Sequence, residues 1–116
     1  MGSRELARIF RVLSVDTRIQ IIQLLKEKSL CVNALAHRLG VTPAAVSQHL
    51  HILREADLVK AEKKGYFVHY TVGDNAGRRL DGVRRSLFPQ RSVRVGRSGA
   101  EEGQRQRGKK QREKGR

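Results

Sequence analysis

Cysteine and histidine are the residue types in this sequence best suited to bind a metal or to act as nucleophiles. Cys31 is the single cysteine, which excludes an internal disulfide and any metal site built from several thiolates of one chain. His49 and His51 stand two positions apart in a predicted helix, so they point to different faces and cannot share a metal as an i, i+4 pair does. We expect His49 to pack or hydrogen-bond within the fold, and His51, His37 and His69 to face solvent.

Cys31 has two open interpretations. A free cysteine usually behaves as a small hydrophobic residue, which favours a semi-buried structural role at a helix start. A helix N-terminus can also make a thiol reactive, which would give a thiol- or metal-responsive sensor. No Ser/His/Asp order, phosphate-binding glycine loop or isolated carboxylate pair stands out, so we predict a protein that is not an enzyme and that holds no metal or cofactor.

A different chemistry, hydrogen bonding through small polar side chains, is available on a helix predicted after Thr42 and Pro43. Threonine is a suitable N-cap and proline suits the first helical position. Three apolar residues then recur at i, i+4 and i+7 and predict the buried face: Val46, Leu50 and Leu53. The opposite face is small and polar, with Ala44, Ala45, Ser47, Gln48 and His51.

The charge of the chain favours a polyanionic partner. The 116 residues include 25 Lys and Arg against 11 Asp and Glu, a formal charge of +14, and this length fits one domain. Half of the excess, 10 basic against 3 acidic residues, lies in the last 28 residues, which have few apolar groups. We predict a folded domain over residues 1–88 and a disordered basic tail over residues 89–116. The tail either attracts nucleic acid through its charge or is a solvating extension that has no function.

Apolar runs are short throughout the chain. None approaches the roughly 18 to 20 apolar residues that cross a bilayer, and no cleaved secretory pattern is visible at the start. We therefore expect a cytoplasmic protein without a membrane partner.

Hydrophobic periodicity divides the first 88 residues into five helices and one hairpin. The first helix carries a stripe of Leu6, Ile9, Phe10 and Leu13, and the last helix carries one of Ala76, Leu80, Val83 and Leu87. Ser14 or Asp16 is expected to cap the second helix. A third helix over residues 32–39 ends at Gly40. Period-two alternation over residues 60–72 predicts a β-hairpin with Lys63-Lys64-Gly65 at its tip.

The third and fourth helices have the spacing of a helix-turn-helix. Ala36 lets the two helices approach, Gly40 permits the tight turn, and Val46 packs the second helix against the first. Helical hairpins without any DNA role use similar patterns. The basic hairpin that follows, with Lys60, Lys63 and Lys64 near its tip, favours a winged helix-turn-helix that binds DNA.

Aromatic residues of the hairpin allow two interpretations. Tyr66, Phe67 and Tyr70 could stack on bases, as aromatic residues do in proteins that bind single strands. Their alternation in a hairpin favours packing in the core and wing instead.

Residues 11–72 closely resemble the ArsR family of bacterial and archaeal transcription repressors. The resemblance is carried, without a gap, by Leu24-Leu25, Leu30-Cys31-Val32, Leu35-Ala36, Leu39-Gly40-Val41, Ser47-Gln48-His49-Leu50, Leu53-Arg54-Glu55-Ala56-Asp57-Leu58-Val59 and Gly65-Tyr66-Phe67-Val68-His69-Tyr70. It implies a mainly α fold with a small β-hairpin and a homodimer paired through the first and last helices. It also implies a repressor that occupies a DNA operator until an effector releases it.

The family's metal sites are incomplete in this sequence. The resemblance places a Cys-Val-Cys-type box at the third helix, where Cys31 is kept but Asn33 stands at the second thiolate position. The family's zinc site on the last helix needs histidines, and none lies beyond His69. Soft metals need about three ligands and tetrahedral zinc four, so we expect this protein to lack a metal site.

These observations lead to a predicted interface. The residues expected to contact bases or nearby phosphates are Thr42, Ala44, Ser47, Gln48 and His51. Those expected on the DNA backbone are Arg38, Arg54, Lys63 and Lys64. Those expected to pair two subunits are Leu6, Ile9, Phe10, Leu13, Leu80, Val83 and Leu87. The main alternative is a nonspecific nucleic-acid packaging module driven by the basic tail, and a sensor that uses Cys31 is a further one.

Overall fold

The computed structural model describes residues 1–89 of the chain. Its elements are α1 (Ser3–Leu13), α2 (Asp16–Glu27), β1 (Leu30–Cys31), α3 (Val32–Leu39), α4 (Pro43–Glu55), β2 (Val59–Lys64), β3 (Phe67–Val72) and α5 (Ala76–Leu87). The three strands form one antiparallel sheet in the order β1-β3-β2. The predicted class, mainly helical with a small hairpin, is confirmed.

Met1–Ser86 form one compact unit. Leu87 and Phe88, which belong to the second unit, have exposed side chains. Apart from Pro89, the predicted basic tail lies outside the described residues, so it stays a prediction. None of the described helices combines the length and the apolar character that crossing a membrane requires.

The core is built from the apolar faces of the middle helices and the root of the hairpin. Its fully buried side chains are Ile21, Leu35, Val46, Leu50, Leu53 and Leu58. The stripe predicted for the fourth helix is therefore confirmed. Burying each such side chain contributes about 1.5 to 3 kcal/mol, and this fixes which face of α4 remains outside.

The turn between α3 and α4 follows the sequence prediction closely. Gly40 has φ 68°, the left-handed conformation that ends α3, and Val41 donates its N–H to the carbonyl of Ala36 at 3.2 Å. Thr42 then caps α4, because its Oγ1 accepts the N–H of Ala45 at 3.1 Å. Ala36 and Val46 are buried, so the two helices pack closely across this turn.

The predicted cap of α2 is wrong. Val15 occupies the N-cap position without a side-chain hydrogen bond, and the hydroxyl of Ser14 donates instead to the carbonyl of Arg11 at 2.8 Å. Ser14 is thus the C-cap residue of α1. Asp16 is the first residue of α2. Its carboxylate interacts favourably with the positive N-terminal end of the helix dipole, but it does not occupy the N-cap position.

The hairpin turn also differs from its prediction. Lys63 and Lys64 lie in β2, paired with Val68 and Phe67 of β3, so the turn is made by Gly65 and Tyr66. Gly65 has φ 65°, a left-handed conformation that glycine adopts readily because it has no Cβ. The chain forms two further residues of strand at Leu30–Cys31, which the sequence pattern did not predict because two residues are too short to show alternation.

Candidate nucleic-acid interface

Helix α4 presents one buried and one exposed face. Ala44, Ser47, Gln48 and His51 follow the spacing i, i+3, i+4, i+7 and are all exposed, whereas the residues of the core stripe are almost fully buried. An open depression of about 350 Å³ lies beside Ser47, Gln48, His51 and the half-buried Ile52. The face therefore combines hydroxyl, amide and imidazole groups with a mainly apolar hollow.

These polar groups differ in what they leave available to a ligand. The Gln48 amide carries both a donor and an acceptor, and it makes no hydrogen bond to another described residue. Thr42 is exposed, but its Oγ1 already accepts from the helix terminus, which leaves its O–H to donate. A side chain that can donate and accept at once is suited to the adenine edge in the major groove.

The predicted backbone contacts lie on three elements. Arg38 is in the last turn of α3, Arg54 is in the last turn of α4, and Lys63 and Lys64 end β2. All four side chains are exposed. Lys60 differs from the prediction that placed it near the tip: it lies at the root of the hairpin and forms an ion pair with Asp74 at 3.1 Å.

The tip of the hairpin carries two exposed aromatic side chains. Tyr66 is 99% and Phe67 is 63% exposed, so the prediction that they pack within the wing is wrong. The reason is the two-residue turn, which puts Tyr66 at the extreme end of the hairpin, where no neighbouring element covers it. Tyr70 is half-buried and packs against the core as expected.

Arg18 is a positioning residue that the sequence analysis missed. Its Nε donates to Nδ1 of His49 at 3.1 Å and its Nη1 donates to the carbonyl of Val12 at 3.0 Å, so it connects α2 to α4 and to the end of α1. A signal was present in the sequence, because Arg18 stands three residues before Ile21 and seven before Leu25, on the buried stripe of α2. The expectation that His49 hydrogen-bonds within the fold is confirmed.

Burial and the Arg18 guanidinium both act on His49. Partial burial, and secondarily the positive charge of Arg18, hold the pKa of His49 below the ordinary histidine value. The imidazole is therefore neutral at neutral pH, and Nδ1 is free to accept the hydrogen bond. His37 and His51 are exposed as expected, which leaves His51 available on the outer face of α4.

Cys31 and His69 are cross-strand neighbours in the sheet. Cys31 precedes α3, is partly buried and pairs in register with His69 of β3. His69 is half-buried, and its Nδ1 is buried without a hydrogen-bond partner among the described residues, so the expectation of a solvent-facing ring is wrong. Within the part of the chain that the structure describes, no three His, Cys, Asp or Glu side chains are grouped to hold a metal ion.

The stripes predicted to pair subunits are mostly accessible. Phe10 is 50% and Leu80 is 42% exposed, and half-buried positions complete the two stripes at Leu6, Leu13 and Val83. Ile9 departs from this pattern: at 1% exposed it packs inside its own subunit, so it cannot form part of an accessible surface.

Three comparisons extend these observations to known proteins. Residues 16–61 match the family described as bacterial regulatory protein, arsR family. The chain is 33% identical to a cadmium resistance transcriptional regulatory protein CadC homolog of Staphylococcus aureus, over 77% of this chain and 73% of that protein. It is 36% identical to a transcriptional repressor SmtB homolog of Synechocystis, over 63% of this chain and 55% of that protein, so it spans about half the length of that relative.

A solved structure gives the same result for the fold. The homodimeric winged helix-turn-helix DNA-binding domain of Mb0332 from Mycobacterium bovis superposes with a TM-score of 0.60 and 27% identity, covering 75% of this chain and 83% of that chain. The winged helix-turn-helix predicted from the spacing of α3, α4 and the hairpin is thereby confirmed.

Proposed function

Because this chain belongs to the ArsR family and is a DNA-binding transcriptional regulator, we propose that it represses transcription as a homodimer that occupies a two-fold symmetric operator. The observation that carries the proposal is the division of α4 into a buried apolar stripe and an exposed polar face. The major groove of B-DNA is wide enough to admit an α-helix, and the short polar side chains on the exposed face of α4 can then contact the base edges. We assign the protein no catalytic activity and place its action in the cytoplasm, beside the DNA.

Within the groove, we assign sequence reading to the outer face of α4. Gln48 is the best reader of adenine because its amide donates and accepts in one plane. Ser47 and His51 flank it, and Ala44 is small enough to lie against a base-pair edge. The mainly apolar hollow beside Ile52 is suited to a thymine methyl group. Thr42 contacts a phosphate through its O–H.

Contacts to the DNA backbone are assigned to the exposed cations around this face. Arg38 lies at the end of α3, Arg54 lies at the end of α4, and Lys63 and Lys64 lie at the end of β2. Such contacts fix orientation on the duplex without reading sequence. Tyr66 and Phe67 at the tip add an apolar end to a basic hairpin, which suits insertion at the minor groove beside the phosphates.

The dimer is assigned to the accessible apolar stripes of α1 and α5. Phe10 and Leu80 are large apolar side chains that are half exposed in the single subunit, and pairing with a second copy would bury them. A two-fold dimer places two copies of α4 at a fixed separation, so its operator should contain two inverted half-sites whose centres lie about one helical turn, roughly 34 to 36 Å, apart or a multiple of that.

Selection of bound sequences from a random duplex pool tests this function. We expect a two-fold symmetric consensus, and the preference should persist when residues 89–116 are removed. A pool that shows no consensus, together with complete loss of binding on removal of those residues, would instead support a nonspecific packaging module that binds through its basic tail.

A further inference from the structure

An open cleft lies between the start of α1, one face of α5 and the turn that follows α4. Its volume is about 570 Å³, within the range of small-molecule sites. The polar and charged side chains that line it are Asp57, Asn75, Arg78, Arg79, Arg85 and Ser86. All belong to the unit formed by Met1–Ser86, and none belongs to the interface proposed for DNA.

Arginine is the main charged residue type in the cleft lining. Three guanidinium groups face one carboxylate, that of Asp57, and Asp57 already accepts a hydrogen bond from Asn75 Nδ2 at 3.2 Å. Arg85 is paired with Asp81 of its own helix. Arg78 is exposed and forms neither an ion pair nor a hydrogen bond with any other described residue. Of the three guanidinium groups of the cleft, Arg78 is therefore the one without an acidic partner in the described part of the chain.

Arg79 has unused donors at this site. Its Nη1 forms an ion pair with Glu5 of α1 at 3.5 Å, which anchors the side chain between α1 and α5. Its Nε is buried and has no acceptor among the described residues. Because a buried donor without an acceptor is unfavourable, the Nε edge of Arg79 has a chemical requirement for an oxygen acceptor. A carboxylate or phosphate meets that requirement with two parallel hydrogen bonds.

The cleft and the proposed dimer surface use different faces of α5. The cleft residues Asn75, Arg79 and Ser86 form one stripe, and Leu80 and Val83 lie on another. At 3.6 residues per turn, the two stripes are centred roughly 90° apart around the helix, and Arg78 lies roughly 170° from the centre of the apolar stripe. Pairing through the apolar stripe therefore leaves Arg78, on the opposite side of α5, available to a ligand.

We propose that this cleft binds a small-molecule oxyanion, a carboxylate or a phosphate, between the guanidinium groups of Arg78 and Arg79, and that the Arg79 side chain shifts on binding so that its buried Nε gains an oxygen acceptor. The site also adjoins the C-terminal end of α4: Asp57 follows that helix, and Arg8 of α1 donates to the carbonyl of Glu55 at 3.2 Å. A ligand that draws α1 and α5 together will therefore change the position of α4 and the affinity for the operator. This second step rests on the proposed function, whereas binding of the anion does not.

Isothermal titration of the full chain with inorganic phosphate and with citrate, at constant ionic strength set by sodium chloride, tests the site. We expect saturable binding with one anion per subunit, weakened roughly tenfold in Arg78→Ala and in Arg79→Gln. Arg84→Ala is the matched control, because Arg84 lies on the same helix, is paired with Asp81 at 3.2 Å and does not line the cleft. Arg84→Ala should bind as the unmodified protein does.

The outcomes separate the inference from its alternatives. Equal, unsaturable binding by all four proteins would show that anions associate only with the general positive charge, and it would overturn the site. The site would also be overturned if Arg78→Ala weakened binding to random duplex DNA and left phosphate and citrate binding unchanged, because the cation would then serve the DNA backbone. Operator binding is measured in the same preparations. If the unmodified protein binds its operator but shows no saturable anion binding, the proposed anion site is wrong and the proposed function as a DNA-binding repressor is unaffected.

Discussion

The Nε of Arg18 donates to Nδ1 of His49 over 3.1 Å and so connects the second helix to the helix that faces DNA. The same guanidinium also donates to the carbonyl of Val12. The orientation of α4 therefore depends on a polar contact as well as on the apolar stripe of Val46, Leu50 and Leu53. Because the acceptor is a neutral imidazole, this contact depends on pH.

The first prediction concerns that dependence. The pKa of His49 is held below its ordinary value, so the unfolded chain takes up a proton more readily than the folded one. The contribution of His49 to the free energy of unfolding is complete above about pH 6.5 and is lost as pH falls through the folded pKa. Denaturant unfolding at pH 7.5 and at lower pH measures the change in the free energy of unfolding, and an NMR titration of the His49 ring measures its pKa in the folded protein.

Replacement of Arg18 isolates its part in this effect. Arg18→Met should raise the pKa of His49 part of the way, since burial remains, and should lower stability at neutral pH by on the order of 1 to 2 kcal/mol through two lost hydrogen bonds. Arg38→Met is the control, because Arg38 is exposed on α3. An unchanged His49 titration in Arg18→Met would contradict the assignment.

The second prediction compares two glycines. Gly40→Ala should destabilise the protein by about 1 kcal/mol or somewhat more, because its φ of 68° disfavours a side chain although the space around it is open. Gly77→Ala should instead stabilise the protein by about 0.5 kcal/mol, because Gly77 lies in α5 and an added methyl group meets nothing within 4 Å. Thermal unfolding of both variants tests the opposite signs; equal shifts would refute the backbone argument.

The third prediction concerns sequence reading by Gln48. Gln48→Ala should reduce discrimination at one base position of each half-site by about 1 to 3 kcal/mol while leaving binding to random duplex almost unchanged. Competition binding with operators altered at single positions measures it. Gln23→Ala, an exposed glutamine of α2, is the control. Equal losses on operator and random DNA would remove Gln48 from base reading.

The fourth prediction concerns the basic strand of the hairpin. Lys64→Ala should weaken binding to all duplexes similarly and reduce the slope of log K against log salt by about 1, as expected for one lost phosphate contact. Titrations at three or more salt concentrations test this. Lys26→Ala, in the last turn of α2, serves as the control for loss of one positive charge. A salt slope that falls equally in both variants would indicate a long-range charge effect only.

The fifth prediction concerns the exposed tip. Tyr66→Ala should leave the free energy of unfolding within about 0.5 kcal/mol of the original, because a fully exposed side chain contributes little to stability. It should weaken duplex binding by about 1 kcal/mol, the lower end for loss of an aromatic contact with bases. Tyr66→Phe, which keeps the ring, is the control and should bind as the original does. Unchanged duplex binding in Tyr66→Ala would contradict the proposal that the hairpin tip contacts DNA.

Much of the fold was accessible from the sequence because its signals are local. The bounds of α3 follow from the spacing of its apolar residues and from Gly40, and the cap at Thr42 follows from the residue type and the proline after it. The buried stripe of α4 needed only the helical period. For that reason the sequence alone identifies the outer face of α4 and places Gln48 on it.

Tertiary structure decided the features that depend on residues far apart in the chain. The pairing of Cys31 with His69, the contact of Arg18 with His49 and the burial of Ile9 each join segments whose proximity no local pattern encodes. The cleft at Arg79 arises in the same way, because α1, α5 and the turn after α4 meet only in the folded chain. The sequence by itself determined which face of each helix is apolar; packing determined which polar groups meet, because hydrogen bonds and ion pairs require proximity within a few ångströms.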